Sequence, residues 1–183
     1  MTSTPPPKRL HFIYGVHLDP KLLATHCYGA QALAVARLDG FQLDFCGYTM
    51  KWDGGEEALQ PCPGAATWGV VYALDLLDGE RLDQEFSVRL DGTGSYFHYP
   101  AEVVDRQGNA HSVLLYMRNS FGAARPPSGE YLQRLVAGGR QMGLPEDYLT
   151  ALAAHPAVPA AYPVPKGGTL RHIINLEQSD CHC

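Results

Sequence analysis

A seven-residue apolar run, WGVVYAL from Trp68 to Leu74, constrains the fold of this chain more than any other feature. Its β-branched and aromatic residues are typical of a buried strand, because such side chains pack well on a pleated surface. The next segment, Asp75 to Gln84, carries charges and leucines at helical spacing. Together the two segments predict a central strand followed by a short helix.

Further strands are predicted where apolar runs end at turn residues. Leu10 to Tyr14 is such a run, closed by Gly15, and we expect a second buried central strand there. Two hairpins follow from turn chemistry, since glycine tolerates the positive φ of a tight turn. Their strands are Ala32 to Leu38 with Phe41 to Cys46 around Asp39-Gly40, and Tyr96 to Val104 with His111 to Met117 around Arg106 to Asn109.

Two helices are predicted after the strands. Ser128 can cap a helix from Gly129 to Met142, in which apolar residues share one face. Pro145 can start a second helix that reaches Ala154, because proline is well suited to the first helical turn.

The chain has 183 residues, 45% of them hydrophobic, which is enough for one core and favours a single domain over two. We expect that domain over residues 10–155. The proline-rich residues 1–9 are predicted to be a disordered leader. Residues 156–183, where alanine, proline and valine dominate at first, are predicted to be an extended C-terminal tail.

Composition also restricts the partners of the protein. The net charge of -5, without a basic stripe, argues against nucleic acid. No segment has the roughly 20 apolar residues that span a bilayer, and no apolar signal core is present, so no membrane is expected. The five cysteines are irregularly spaced, which favours reduced thiols. We expect a cytoplasmic monomer or homodimer that acts on a small molecule.

Five strings carry a resemblance to a known family: FIYGVHL (Phe12 to Leu18), VARLDGFQLDF (Val35 to Phe45), WDGG (Trp52 to Gly55), WGVVYAL, and PPSGEYLQRLVAGGRQMGLPEDYLTAL (Pro126 to Leu152). Taken in order, they resemble the gamma-glutamylcyclotransferase (AIG2-like) family over most of residues 10–155. The resemblance implies an α+β fold, a gamma-glutamylcyclotransferase-like mixed β-barrel or sheet with flanking helices.

The resemblance also implies a reaction and a substrate site. In the family, intramolecular acyl transfer on a gamma-glutamyl amine or amide releases 5-oxoproline, and no metal or cofactor is required. Backbone N–H groups of the first loop hold the gamma-glutamyl unit, because successive unpaired amides form an anion-binding concavity. The matching residues are Tyr14, Gly15, Val16, His17 and Leu18 in that loop, and Tyr96, Tyr116 and Tyr131 on the cavity wall. The family pattern has serine and asparagine at the positions of Val16 and His17.

The family's catalytic glutamate follows a helix in the pattern Leu-Asp, two residues, Glu-Gly. Residues 82–87 here read LDQEFS, so a gapless match places Phe86 at the position of the base. Glu85 lies one position early, and the turn-rich segment Arg89 to Gly94 lengthens the loop that follows. We expect Glu85 to be the displaced catalytic base, with a solvated surface glutamate as the alternative.

Two histidines suggest a different chemistry for the same cavity. His17 lies in the first loop, and His98 lies two residues after Tyr96, on the same face of its strand. With Glu85 they would form the two-histidine, one-carboxylate set that binds Fe²⁺ or another divalent metal and leaves positions open. A metal-dependent enzyme is therefore the first alternative, and a non-catalytic binding module is the second.

Two short segments that pair cysteine with histidine suggest metal binding or a reactive thiol. Cys181-His182-Cys183 has the soft ligands that suit zinc or copper, but a solvent-exposed chain end is favoured. His26-Cys27 would be a reactive pair only if the imidazole lowered the thiol pKa, and no nucleophilic catalysis is assigned to it.

Overall fold

The computed structural model describes residues 8–166, which form five strands and four α-helices. The strands are β1 (Arg9–Ile13), β2 (Gln31–Thr49), β3 (Gly54–Leu74), β4 (Tyr96–Asp105) and β5 (Ala110–Arg118). The helices are α1 (Pro20–Leu23), α2 (Leu76–Glu85), α3 (Gly129–Gln141) and α4 (Glu146–Ala153), and a 3-10 turn covers Val16–Leu18. No helix in this range has the length and apolar character that a membrane crossing requires.

The strands close into a barrel in the order β1-β3-β2-β4-β5. β1 pairs antiparallel with β3, and His11 of β1 pairs parallel with Leu114 of β5 to complete the closure. Because the sheet closes on itself, each strand has two neighbours and the inward side chains fill one core. The predicted α+β class, a mixed barrel with flanking helices, is confirmed.

The WGVVYAL run forms the C-terminal part of β3 and is buried, as predicted. Val70 and Val71 pair with β1 and are at most 1% exposed. The strand ends at Leu74, and the carboxylate of the next residue, Asp75, accepts a hydrogen bond from the amide of Asp78 at 2.8 Å and caps α2. This N-cap satisfies one of the free amides of the first turn, so the step from strand to helix is encoded locally.

The hairpin predicted around Asp39-Gly40 is wrong. β2 continues through these residues and pairs with β3 on both sides of them. The register of the pairing shifts between Asp39 and Phe41, and Gly40 has a φ of 80°. The positive φ therefore serves a β-bulge, which bends a strand without reversing it. The chain reverses later, between Thr49 and Gly54, where β2 and β3 form their hairpin.

The second hairpin and the two C-terminal helices agree with the sequence patterns. β4 and β5 pair from Tyr96 opposite Arg118 to Val104 opposite Ala110. The hydroxyl of Ser128 accepts a hydrogen bond from the amide of Tyr131 at 3.3 Å and caps α3. These elements were predictable because their boundaries depend on nearby turn and cap residues.

Helix α3 fixes the position of the loop that follows β1. At Gly138 of α3, a Cβ would lie 2.4 Å from the backbone nitrogen of Asp19, so only glycine permits this approach. Leu18, in the 3-10 turn, is fully buried beneath the same helix, and its side chain faces Gly139. The first loop is therefore held by core packing.

The segment 156–166 packs against the barrel end. The hydroxyl of Tyr162 donates a hydrogen bond to the carbonyl oxygen of Met50, and the amide of Ala161 donates to Asp53, both at 2.6 Å. These contacts join the beginning of the predicted tail to the β2–β3 turn. Residues 1–7 of the predicted leader and 167–183 of the predicted tail lie outside the described residues, while Arg9 belongs to β1.

Candidate active site

A cavity of about 420 Å³ lies at one end of the barrel, where the β2–β3 turn, the end of α2 and the start of β4 meet. Its volume suits a small molecule, since ligand sites run from roughly 300 to 1,000 Å³. Five ionisable side chains line it: Lys51, Glu56, Glu57, Glu85 and Arg118. The cavity can therefore recognise a ligand that carries charges of both signs.

Glu85, the last residue of α2, faces this cavity. The ammonium of Lys51 donates a hydrogen bond to Glu85 Oε1. His17 Nε2 lies 3.7 Å from Oε1, and His26 Nε2 lies 3.6 Å from Oε2. Burial alone would raise the pKa of Glu85, but the hydrogen bond and charge of Lys51 outweigh it, and the pKa is lowered. Glu85 is therefore a carboxylate near neutral pH.

Phe86 takes the position that the family pattern gives to the base, and its surroundings are aromatic. The ring stacks on Tyr116 with the centroids 4.2 Å apart and the planes 7° from parallel. It also contacts the rings of His17 and Tyr96, at centroid distances of 5.0 and 5.1 Å. Phe86 thus builds a wall of the cavity and cannot exchange a proton.

The first loop contributes unequally to the site. Val16 and His17 line the cavity, whereas Tyr14 and Gly15 line a smaller hollow behind it, with His17 again part of the lining. Leu18 points into the core. The hydroxyl of Tyr14 donates a hydrogen bond to the carbonyl oxygen of Tyr116, which ties the loop to β5.

The three predicted tyrosines are also divided. Tyr96 and Tyr131 line the cavity, and Arg118 Nη1 donates a hydrogen bond to the Tyr96 hydroxyl at 3.3 Å. The hydroxyl of Tyr131 is buried without a hydrogen-bond partner among residues 8–166. Tyr116 differs, because its hydroxyl donates to Asp83 at 2.7 Å and its ring lines only the smaller hollow.

The predicted convergence of His17, His98 and Glu85 is not what the structure shows. His98 Nε2 is hydrogen-bonded to Asp83 Oδ1 at 2.7 Å, and its ring packs edge-on against His11. His98 lines a separate hollow together with His11 and with Asp83 of α2, and it is not part of the lining of the cavity that holds Glu85. His26, from the turn after α1, takes the third place beside Glu85.

His17 is the least satisfied side chain of this group. Neither ring nitrogen has a hydrogen-bond partner among the described residues, and the residue is only 4% exposed. Burial lowers the pKa of His17 to about 3 and also lowers the pKa of His26. Both imidazoles are neutral near pH 7, so the positive charge beside Glu85 comes from Lys51.

Glu57 is a second carboxyl group of the cavity, and sequence reasoning missed it. It lies near the start of β3, is 4% exposed, and lines both the cavity and the smaller hollow. Burial, followed by the charge of Glu56, raises the pKa of Glu57 to about 8. Glu56 itself forms an ion pair with Arg118 at 3.1 Å. Glu57 therefore holds a proton at neutral pH, whereas Glu85 does not.

A signal for Glu57 was present in the sequence. Two consecutive glutamates, Glu56 and Glu57, follow Gly54-Gly55 directly and lie within a strand. Because successive side chains of a strand point to opposite faces, one member of such a pair is directed toward the barrel interior.

The structure describes only one of the two cysteine segments considered in the sequence, His26-Cys27. Burial raises the pKa of Cys27 to about 12, and its thiol lies 3.7 Å from the carbonyl oxygen of Asp78, so this thiol is not activated. The Cys-His-Cys terminus lies outside the described residues.

Comparisons with known proteins agree with this fold. Residues 66–152 match the AIG2-like family. The gamma-glutamylcyclotransferases of Mus musculus and Homo sapiens are each 30% identical to this chain over 149 residues, which cover 79% of this chain and 77% of theirs. A solved structure of a gamma-glutamyl cyclotransferase superimposes with a TM-score of 0.80 at 25% identity, covering 92% of this chain and 99% of that one.

The barrel and its charged cavity are thus those of a gamma-glutamylcyclotransferase-like enzyme. The chain belongs to the gamma-glutamylcyclotransferase family. The expected family and the expectation of an enzyme are both confirmed by these relatives.

Gly15 provides a first prediction about the site. A Cβ at this position would lie 1.8 Å from Glu57 Oε1 and 2.3 Å from its carboxyl carbon. We expect Gly15→Ala to displace the Glu57 side chain and lower kcat by about 10-fold or more, because moving a group that lines the cavity disturbs the alignment of a bound substrate. Gly129→Ala is the matched control, since nothing lies within 4 Å of a Cβ there. Unchanged kcat in Gly15→Ala would contradict the close packing of Glu57 on this loop.

Proposed function

We propose that the cavity cyclises a gamma-glutamyl amine or amide, releasing 5-oxoproline and a free amine. The α-amino group of the glutamyl unit attacks its own γ-carbonyl carbon, so the nucleophile is already tethered to the electrophile. Tethering supplies a large part of the rate, because the attack needs no second molecule to be captured and oriented. The protein must then fold the substrate and move protons.

The observation that carries this proposal is the position of Glu85 in the cavity of a family member, with the Lys51 ammonium hydrogen-bonded to its side chain. Glu85 is proposed to remove the proton from the substrate's α-ammonium group, which frees the amine for attack. A general base has to be unprotonated at the working pH, and the contact with Lys51 keeps Glu85 so. The same contact fixes the carboxylate in one orientation.

Substrate binding is proposed for the groups around this carboxylate. The glutamyl unit carries an α-carboxylate, for which the backbone amide of His17 and the guanidinium of Arg118 are suitable partners, while the Val16 amide is hydrogen-bonded to Glu57. Tyr96 and Tyr131 supply aromatic walls with polar tips. Tyr14, Gly15, Leu18 and Tyr116 are proposed to support the cavity from behind, in keeping with their contacts.

The test uses the full chain, a gamma-glutamyl alkylamine, and its α-glutamyl isomer as a control. In the isomer, attack of the amine on the scissile carbonyl cannot close a five-membered ring. Chromatography should detect 5-oxoproline and free amine in equal amounts from the first compound and neither from the second. Absence of 5-oxoproline from a panel of gamma-glutamyl amines and gamma-glutamyl amino acids would refute the proposed function.

A divalent metal bound by His17, His26 and Glu85 is the second candidate. One ligand atom from each of these residues lies within 4.8 Å of the other two. Ligands of tetrahedral zinc lie roughly 3.3 Å apart, so a modest contraction would suffice. The unpartnered ring nitrogens of His17 favour this candidate, since a metal would satisfy one of them. Lys51 would have to release Glu85.

The metal candidate predicts a stoichiometric ion in purified protein, measured by mass spectrometry of the elements after dialysis against Zn²⁺ or, without oxygen, Fe²⁺. His17→Ala and His26→Ala should each lose it, because two remaining ligands bind weakly. His98→Ala should retain it and serves as the control, since His98 is engaged with Asp83. Metal-free wild-type protein that is fully active in chelator would eliminate this candidate.

The proposed enzyme is placed in the cytoplasm, with a small gamma-glutamyl compound as its partner. Three cysteines among the described residues, Cys27, Cys46 and Cys62, are unpaired. Unpaired thiols suit a reducing compartment.

A further inference from the structure

The carboxyl group of Glu57 has surroundings that differ from those of Glu85. It packs on the backbone of Gly15, in the loop proposed to bind substrate, and it is nine-tenths buried or more. Its neighbour Glu56 takes the ion pair with Arg118, and no salt bridge to Glu57 is present among residues 8–166. A buried carboxyl group without a cation stays neutral and is then a proton donor.

Phe86 and Glu57 are also related in space. Both line the cavity and the smaller hollow beside it. The family's base position therefore carries an aromatic ring, while strand β3 brings a carboxyl group to the same two spaces. The chain has carboxyl groups on two elements of the cavity wall, Glu85 at the end of α2 and Glu57 on β3.

We propose that Glu57 is the general acid that protonates the departing amine nitrogen. The inference rests on the proposed cyclisation and assigns its second proton transfer. A pair of carboxyl groups held in opposite protonation states in one cavity is an arrangement that separates acid and base roles.

Two proton transfers accompany the bond changes of the proposed cyclisation. The substrate ammonium gives a proton to the Glu85 carboxylate, and the freed lone pair forms the new bond to the γ-carbon. The tetrahedral intermediate collapses when the bond between that carbon and the leaving nitrogen breaks, and the bonding pair stays on nitrogen. That nitrogen takes the proton of Glu57. The ring nitrogen, which still carries two hydrogens after its attack, gives one of them to solvent and becomes the lactam N–H. Glu85 then gives its proton to the free amine, which leaves as an ammonium ion, and Glu57 regains a proton from solvent, so no oxidant or further reactant is needed.

The test compares leaving groups in wild type and Glu57→Gln, because an amide keeps the shape of the acid but cannot protonate a leaving amine. A gamma-glutamyl alkylamine has a strongly basic leaving nitrogen that has to be protonated as it leaves. A gamma-glutamyl 4-nitroanilide has a weakly basic one that can depart without a full proton transfer. We expect kcat to fall about 100-fold or more for the alkylamine and less than about 10-fold for the nitroanilide.

Two further variants complete the design. Glu57→Asp keeps a carboxyl group and should recover part of the alkylamine rate, whereas Glu102→Gln, on the exposed side of β4, should match wild type with both substrates. If Glu57→Gln lowers kcat equally for the two substrates, or lowers it for neither, Glu57 is not the general acid. The proposed cyclisation would still stand. If wild type releases 5-oxoproline from neither substrate, the proposed function fails and the acid assignment fails with it.

Discussion

Glu85→Gln is expected to lower kcat for a gamma-glutamyl alkylamine by about 100-fold or more and to leave KM within a few-fold of wild type. The amide has the size of the acid and keeps an oxygen for Lys51, but it cannot take a proton from the substrate ammonium. Because the proton is removed on the way to the transition state, the loss belongs in kcat. Steady-state release of 5-oxoproline measures both constants.

The matched control for this variant is Glu80→Gln. Glu80 lies on the same helix, α2, but is exposed to solvent. It should retain wild-type kcat and thermal stability, so a loss confined to Glu85→Gln cannot be ascribed to the helix. Full activity of Glu85→Gln would remove Glu85 from the mechanism.

The second large effect concerns stability, and it requires no substrate. The pKa of Glu57 in the folded protein is raised to about 8 by burial and by Glu56, whereas an unfolded glutamate has a pKa near 4.5. Between these values the folded protein holds a proton that the unfolded chain has lost. Glu57 therefore lowers the free energy of unfolding as pH rises from about 4.5 to 8, by roughly 3 to 5 kcal/mol in all.

Urea unfolding at a series of pH values measures this effect as a difference between wild type and Glu57→Gln. We expect the free energy of unfolding of Glu57→Gln to increase relative to that of wild type from pH 5 to pH 9, because glutamine stays neutral. His17 and His11, whose folded pKa values are lowered by burial, change stability in both proteins alike and cancel in the difference. A constant difference across this range would show that the pKa of Glu57 is not raised.

The neighbours of Glu57 come from several strands and have to be kept unchanged in this experiment. They are Glu56 on the same strand, Arg118, Tyr14, Tyr96 and Cys46. Burial raises the pKa of both tyrosines and of the thiol, so these three groups stay neutral across the measured range. The pH dependence of the difference in free energy of unfolding between wild type and Glu57→Gln thus reports on Glu57 and on its charged neighbours Glu56 and Arg118.

Much of the fold was predictable because its signals are local. The WGVVYAL strand follows from a run of apolar residues, and the caps at Asp75 and Ser128 follow from short polar side chains before helices. The error at Asp39-Gly40 has a physical cause, since a glycine with positive φ suits a bulge as well as a turn. The choice depends on whether a partner strand continues alongside, and the local sequence does not contain that information.

The site was harder to predict because it is assembled by distant contacts. His26 reaches Glu85 across 59 positions of the chain, and Glu57 meets Gly15 across 42 positions. The expectation for His98 lacked the position of α2, whose Asp83 binds it. Glu85 was selected from a shifted family pattern and lines the cavity, while its role as the base stays a prediction.

The most direct test of the central claim is the fate of water oxygen during turnover. Full-length protein is incubated with a gamma-glutamyl alkylamine in H₂¹⁸O, and mass spectrometry measures the ¹⁸O content of the product that contains the glutamyl unit. Intramolecular attack by the α-amino group predicts 5-oxoproline without ¹⁸O, together with one free amine for each molecule. Glutamate carrying ¹⁸O would mean that water is the nucleophile, and it would contradict cyclisation.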